Sequence, residues 1–209
     1  SLPVSETLAM AAKARELKSQ GVDIIGLSLG EPDFNTPEFI KDAAIQAVKD
    51  NYNSYSPVDG YADLKEAICN KFKRDNGLDY KPSQVVVSTG AKQSIANLCM
   101  VLLNPGDEVL LPAPYWVSYS AIATLAEAKS IIIPSSIETD FKITPKQLEA
   151  AITPKTKLVM FNSPNNPSGT IYTEAEYRAL GKVLEKYPDI YILSDEIYEL
   201  INYGKPHFS

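Results

Sequence analysis

Ile190-Tyr191-Ile192-Leu193 runs without a break into Ser194-Asp195-Glu196-Ile197-Tyr198. The apolar, β-branched run reads as a strand, and the residues after it set a carboxylate and a phenol three positions apart at that strand's end. Asp195 is suited to keep a ring nitrogen protonated, and Tyr198 to donate a hydrogen bond to a phenolate oxygen on the same ring. The pair therefore suits a flat heteroaromatic cofactor. On these residues alone a second reading is equally good: Asp195 caps the following turn and Tyr198 fills a core position.

The same grammar repeats along the chain. Strands are predicted over Gln84–Ser88, Glu108–Leu111, Ser130–Ile133, Lys157–Phe161 and Ile190–Leu193, most of them apolar nearly throughout, as strands covered on both faces are. Amphipathic runs over Ala91–Leu103, Tyr115–Leu125, Pro145–Ala151 and Glu174–Lys186 read as helices, two of them opened by Thr144 and Thr173 as N-caps. Such alternation predicts an α/β domain with a mainly parallel sheet. Upstream, Glu6–Ser19, Glu38–Asp50 and Ala62–Asp75 read as three more helices, joined by turn-rich stretches such as Gly30–Pro37. Residues 1–50 are expected to form an N-terminal arm and the entrance to a small domain, and residues 51–209 an incomplete large domain.

Composition narrows the function classes. The 209 residues carry a net charge of −6 with no basic cluster, which argues against nucleic acid or an anionic membrane as the main partner. Cys69 and Cys99 fall within predicted helices, without C-x-x-C or Cys/His spacing, so reduced, buried thiols are expected. His207 is the one histidine, which nearly excludes a histidine-based triad, a histidine metal site and a histidine general base. No stretch approaches a membrane span, and charged residues within 1–20 interrupt any signal-peptide core. The cytoplasm is the expected compartment.

Four loops follow four predicted strands, and in a parallel sheet all four lie at the carboxyl edge, where open α/β sheets bind ligands. In Ser88-Thr89-Gly90-Ala91-Lys92, Gly90 allows close backbone approach, and the Ala91 and Lys92 N–H groups at a helix start suit a phosphate. The loop has neither the Walker spacing nor G-x-G-x-x-G, and an ordinary βα turn explains it as well. Pro112-Ala113-Pro114-Tyr115-Trp116 sets the chain's single tryptophan between the edge and a helix; it suits stacking on a planar ring, or plain core packing. Asn162-Ser163-Pro164-Asn165-Asn166-Pro167-Ser168-Gly169 is turn chemistry with a surplus, two amides flanked by prolines, which makes Asn166 a rigid donor to a phenolate or carboxylate oxygen.

Together these loops closely resemble the fold type I pyridoxal phosphate aminotransferases, along essentially the whole chain. Within that family the chain is most similar to bacterial aspartate and aspartate/prephenate aminotransferases. That likeness rests on Gly30-Glu31-Pro32-Asp33-Phe34, Tyr55-Ser56-Pro57-Val58-Asp59-Gly60, Pro114-Tyr115-Trp116 and Asn165-Asn166-Pro167-Ser168-Gly169. The resemblance implies a three-layer α/β/α large domain, pyridoxal 5'-phosphate as cofactor, no metal, and a homodimer with shared active sites. It implies that Asp195 pairs the pyridine nitrogen, Tyr198 and Asn166 bind the ring oxygen, Trp116 stacks on the ring, and Gly90, Ala91 and Lys92 hold the phosphate. Gly30, with Trp116 and Asn166, faces the substrate, and Tyr55 reaches the phosphate of the neighbouring subunit.

The chain also departs from the pattern. The family's Ser-x-Ser-Lys-like segment follows the Asp/Tyr pair by a few tens of residues and carries the lysine that forms the Schiff base and moves the α-proton. No Ser-Lys dipeptide occurs here, so that lysine is expected beyond Ser209, as are the substrate-clamping arginines. The expected activity of the parent protein is transamination between an L-amino acid, aspartate on the front-end motifs, and a 2-oxo acid, with this chain alone inactive. Other readings of the same scaffold are a β-lyase, an aromatic or other aminotransferase, or a noncatalytic cofactor-binding regulatory module; a generic nucleotide-binding domain is disfavoured. The resemblance further implies cis peptides before Pro114 and Pro167. It also puts two later strands between Gln84–Ser88 and the rest of the sheet, so that here this segment has no neighbour, the other four strands still pair, and Gly90–Lys92 loses its fixed position.

Overall fold

The computed structural model describes residues 6–26, 30, 34–201, 203–204 and 207–209. Two compact units divide the chain, Ser1–Ser56 and Pro57–Ser209. The first carries α1 (Glu6–Ser19) and α2 (Glu38–Lys49). Glu31, Pro32 and Asp33 of the front-end motif lie outside the described residues.

The second unit opens with α3 (Ala62–Lys71), which loosens into a π-turn over Phe72–Asn76 and ends at Gly77 in the left-handed region, φ 69°. The predicted helix over 62–75 is thus two pieces, stopped by a residue that tolerates that conformation. The strand predicted over Gln84–Ser88 does not form. The segment follows a 3₁₀ turn at Pro82–Gln84, and Val85 is extended (φ −111°, ψ 129°), yet it joins no ladder. Three valines bias the backbone toward an extended form, but a strand also needs a partner. The segment's tie is the Val87 N–H donating to the Asp59 carbonyl at 3.1 Å, beside Gly60, where a Cβ would come within 2.5 Å of the Val87 side chain.

Four parallel strands then pair in the order β2-β1-β3-β4, with β1 at Glu108–Pro112, β2 at Lys129–Ile133, β3 at Thr156–Asn162 and β4 at Tyr191–Asp195. Between and before them lie α4 (Ala91–Leu102), α5 (Ser118–Leu125), α6 (Pro145–Ala151) and α7 (Glu174–Leu184). Period-two alternation splits the strands between two cores. Val109, Leu111, Leu158, Met160 and Leu193 meet Ile95, Cys99, Tyr119 and Ile122 of α4 and α5. Leu110, Ile133, Val159 and Phe161 meet Leu148, Leu180, Val183 and Leu184 of α6 and α7. The result is the three-layer α/β/α arrangement. Among the described residues no helix is long and apolar enough to cross a membrane.

Both predicted caps form reciprocal boxes. The Thr144 hydroxyl accepts from the Gln147 N–H while the Gln147 amide oxygen accepts from the Thr144 N–H, and Thr173 and Glu176 repeat the exchange. The Glu176 carboxyl is held below its ordinary 4.5: partial burial opposes ionisation, but hydrogen bonds from Lys142 and from Thr173 outweigh it. A depressed carboxylate stabilises the fold fully above the unfolded-state value and loses that contribution as pH falls through the folded one. Glu176→Gln keeps the box and removes the charge. Its cost is expected to be about 1 kcal/mol or less at neutral pH, because the side chain is partly exposed and screened, and to vanish as pH falls below the depressed folded-state value. Urea unfolding across that range checks it; a pH-independent difference would contradict it.

Candidate functional site

The carboxyl ends of β1, β3 and β4 converge. Asn162 and Asp195 are register partners at the last rung of the ladder, so the strand runs through Asp195 itself, two residues beyond its predicted end at Leu193. The Asn162 side-chain amide donates to the Asp195 backbone carbonyl at 2.9 Å, and its oxygen accepts from the Asn166 N–H at 2.7 Å. Asn162 therefore locks the third loop onto the fourth. As a consequence, the Asn166 amide donates to the Tyr198 hydroxyl at 3.3 Å, which brings together the two residues expected at a ring oxygen. Asn165 ties the same loop to the second by donating to the Pro114 carbonyl at 3.3 Å. The Ala113–Pro114 and Asn166–Pro167 peptides are cis, as the resemblance implies, and so is Ser163–Pro164, which was not expected.

Asp195 is buried, 9% exposed. One carboxylate oxygen accepts from the Ile197 N–H at 3.2 Å, the capping role of the plainer reading. The other accepts from the Tyr119 hydroxyl at 2.6 Å. The capping oxygen and the oxygen held by Tyr119 are different atoms, so the cap does not use up the carboxylate. Burial first, and then the Asp195 hydrogen bond and charge, push the Tyr119 phenol far above its ordinary 10, so it remains a donor.

From Tyr119 the contacts lead on to the remaining loops. Its ring meets Trp116 edge-on, centroids 5.6 Å apart at 89°, and the Lys92 ammonium sits 4.9 Å from the Trp116 ring centroid. Lys92 is in the first turn of α4, behind Gly90 at φ 85°, a conformation that an L side chain rarely adopts. α4 has no side-chain cap, so the first-turn N–H groups of Ala91 and Lys92 have no intrahelical acceptor. The neighbouring Thr89 N–H is taken by the Gln93 side chain at 2.5 Å. Gly30 and Tyr55 lie in the first unit, and the Tyr55 ring is fully exposed.

The turn after Asp195 is braced from two sides. Glu199 accepts from Lys71, 128 residues away, and from Asn76, while Glu196 meets Ser194, His207 and Ser209. Although Glu196, Glu199 and His207 approach one another within 4.8 Å, these partners occupy the carboxylates.

Over residues 22–209 the sequence matches the family described as aminotransferase class I and II. The chain belongs to this family. Within the aminotransferases it is 54% identical over 197 residues to an aspartate/prephenate aminotransferase of Nitrosomonas europaea, covering 94% of this chain and 50% of that protein. It is 51% identical over 209 residues to the aspartate aminotransferase of Bacillus subtilis, covering 100% of this chain and 53% of that protein. The Thermus thermophilus aspartate aminotransferase with maleate superposes with a TM-score of 0.96 at 42% identity, covering 100% of this chain and 54% of that one. The chain spans about half the length of the curated relatives it matches.

Two residues that join the loops of this aminotransferase chain do not stand out in its sequence. Asn162 opens the Asn/Pro loop, but its bridging role needs the register with Asp195. Tyr119 stands three residues after Trp116, a spacing that would put both on one face of the helix predicted over Tyr115–Leu125, and this was the signal available for it.

Proposed function

We propose that the protein to which this chain belongs is a pyridoxal phosphate-dependent aminotransferase that moves the amino group of aspartate to a 2-oxo acid, working as a cytoplasmic homodimer. The observation that carries the reading is the Asp195 carboxylate. It is buried, with two neutral donors and, among the described residues, no cationic side chain in salt-bridge contact. Such a group is poorly compensated by itself and well matched to a protonated ring nitrogen. Around it stand donors for a ring oxygen, Asn166 and Tyr198, an indole for a planar ring, Trp116, and open N–H groups of a helix start for a phosphate, Ala91 and Lys92 behind Gly90. This donor set fits pyridoxal phosphate.

When bound, the cofactor supplies a ring that takes up electron density from the substrate's α-carbon. The chain's own residues perform the rest of their part by placement. Asp195 would hold the proton on the ring nitrogen, Asn166 and Tyr198 would donate to the ring oxygen, and Trp116 would stack on the ring and keep water from it. Gly30 is assigned to the substrate α-carboxylate and Tyr55 to the phosphate of the partner subunit. The covalent anchor and proton shuttle are assigned, by the resemblance, to a lysine outside these 209 residues. Aspartate as donor is supported by the names of the relatives and by the maleate, itself a dicarboxylate, of the Thermus structure.

The test uses the full-length protein. Adding pyridoxal phosphate is expected to produce a bound-cofactor absorption band, and aspartate with 2-oxoglutarate to yield oxaloacetate in a coupled assay. No absorption change would sink the cofactor reading. A bound cofactor without turnover of aspartate would sink the substrate alone.

A further inference from the structure

We propose that Tyr119 is a positioning residue: acting through Asp195, it sets how firmly the ring nitrogen of bound pyridoxal phosphate keeps its proton. This rests on the reading of Asp195 given above and extends it to a residue that would not touch the cofactor nitrogen.

The Tyr119 hydroxyl reaches the Asp195 carboxylate across 76 residues of chain at 2.6 Å, the short distance of a charge-assisted O–H···O⁻ bond. The tyrosine is 1% exposed, and its ring is fixed in the core shared by α4, α5 and the sheet, edge-on to Trp116, so the hydroxyl has little freedom to leave. Finally, the other donor to the Asp195 side chain is a backbone N–H on the opposite oxygen, which leaves Tyr119 as the one side chain donating to this carboxylate among the described residues.

The consequence follows from how a proton is shared. A carboxylate and a ring nitrogen can divide one proton either as a charged pair or as a neutral pair, and a donor on the carboxylate favours the charged pair. Tyr119 supplies that donor and, being locked in the core, fixes the orientation of the carboxylate as well. Without the hydroxyl, the carboxylate becomes the better proton acceptor, and the shared proton shifts from the ring nitrogen toward Asp195. The sheet edge supplies the charge; the helix face behind it supplies the bias.

The experiment loads the full-length protein with ¹⁵N-labelled pyridoxal phosphate and records the ring-nitrogen resonance, which reports protonation directly. In Tyr119→Phe it is expected to move toward the unprotonated pyridine position, with cofactor affinity lower by roughly 10-fold or more, the worth of a hydrogen bond to a charged group. A purely structural tyrosine would lower the melting temperature and leave the resonance unmoved, and that result overturns the proposal. Asp195→Asn separates the two levels. If it moves the resonance and Tyr119→Phe does not, only the present proposal falls; if neither moves it, the reading of Asp195 falls too. Should Tyr119→Phe not fold, 3-fluorotyrosine at position 119 keeps the shape. Its fluorine resonance is expected to shift when pyridoxal phosphate is added, and an unchanged signal overturns the proposal equally.

Discussion

Asp195→Ala in the full-length protein is expected to weaken pyridoxal phosphate binding by ~10²- to 10⁴-fold and to reduce turnover by at least as much. Truncating one partner of a buried charge pair costs about 3–5 kcal/mol, because the other charge is left without compensation, and that range corresponds to the stated loss of affinity. Turnover suffers further, since a preorganised electrostatic group contributes about 10²–10³-fold to rate by itself. The variant also leaves the Tyr119 hydroxyl, 1% exposed and bonded to Asp195, without its acceptor, at a cost to the fold of about 1–3 kcal/mol. Absorption titration and a thermal melt measure the two effects separately. An unchanged affinity would show that Asp195 is not the partner of the ring.

The largest effect on stability is expected at Phe161. It lies on β3, which is paired on both sides, is 3% exposed, and meets Tyr172 and Tyr177 edge-on at 6.0 and 5.8 Å between ring centroids. Phe161→Ala empties a site enclosed by strand and helix, where little can collapse, and should cost about 3–5 kcal/mol. That is a large share of the ~5–15 kcal/mol that separates folded from unfolded protein. The next residue is Asn162, so slackening here should also loosen the bond to the Asp195 carbonyl. The check is the urea midpoint, which should fall with little change in slope; a midpoint within error of the parent would refute it.

What could be read along the chain was local. Thr144 and Thr173 announced their helices because the capping box closes within four residues, and β1 and β3 announced themselves because their apolar runs suit a doubly covered sheet, whereas β4, read in the same way, leaves Tyr191 and Ile192 exposed at the sheet's edge. That Asn166, Asp195 and Tyr198 come together was legible because loops after parallel strands share one edge whatever the details. The structure joins Asn166 to Tyr198 by a hydrogen bond and ties their loops to β4 through Asn162.

Whatever depends on a partner far along the chain became visible only in the folded molecule. Val85 to Ser88 has the residues of a strand and no ladder, because extended backbone is a local preference whereas pairing is a contact that some other segment must provide. The helix after Trp116 starts at Ser118 rather than Tyr115, with Tyr115 to Val117 drawn into the loop that Asn165 holds from across the edge. Tyr119 reads as one more apolar position of a helix until the fold brings its hydroxyl to a carboxylate 76 residues away. Periodicity, capping and turn residues act over one or two turns of chain, so most of the elements and their order are written in the residues themselves. Which side chain finishes the hydrogen bonding of a buried charge is settled only when the layers close, because burial creates that demand and packing selects the donor that meets it.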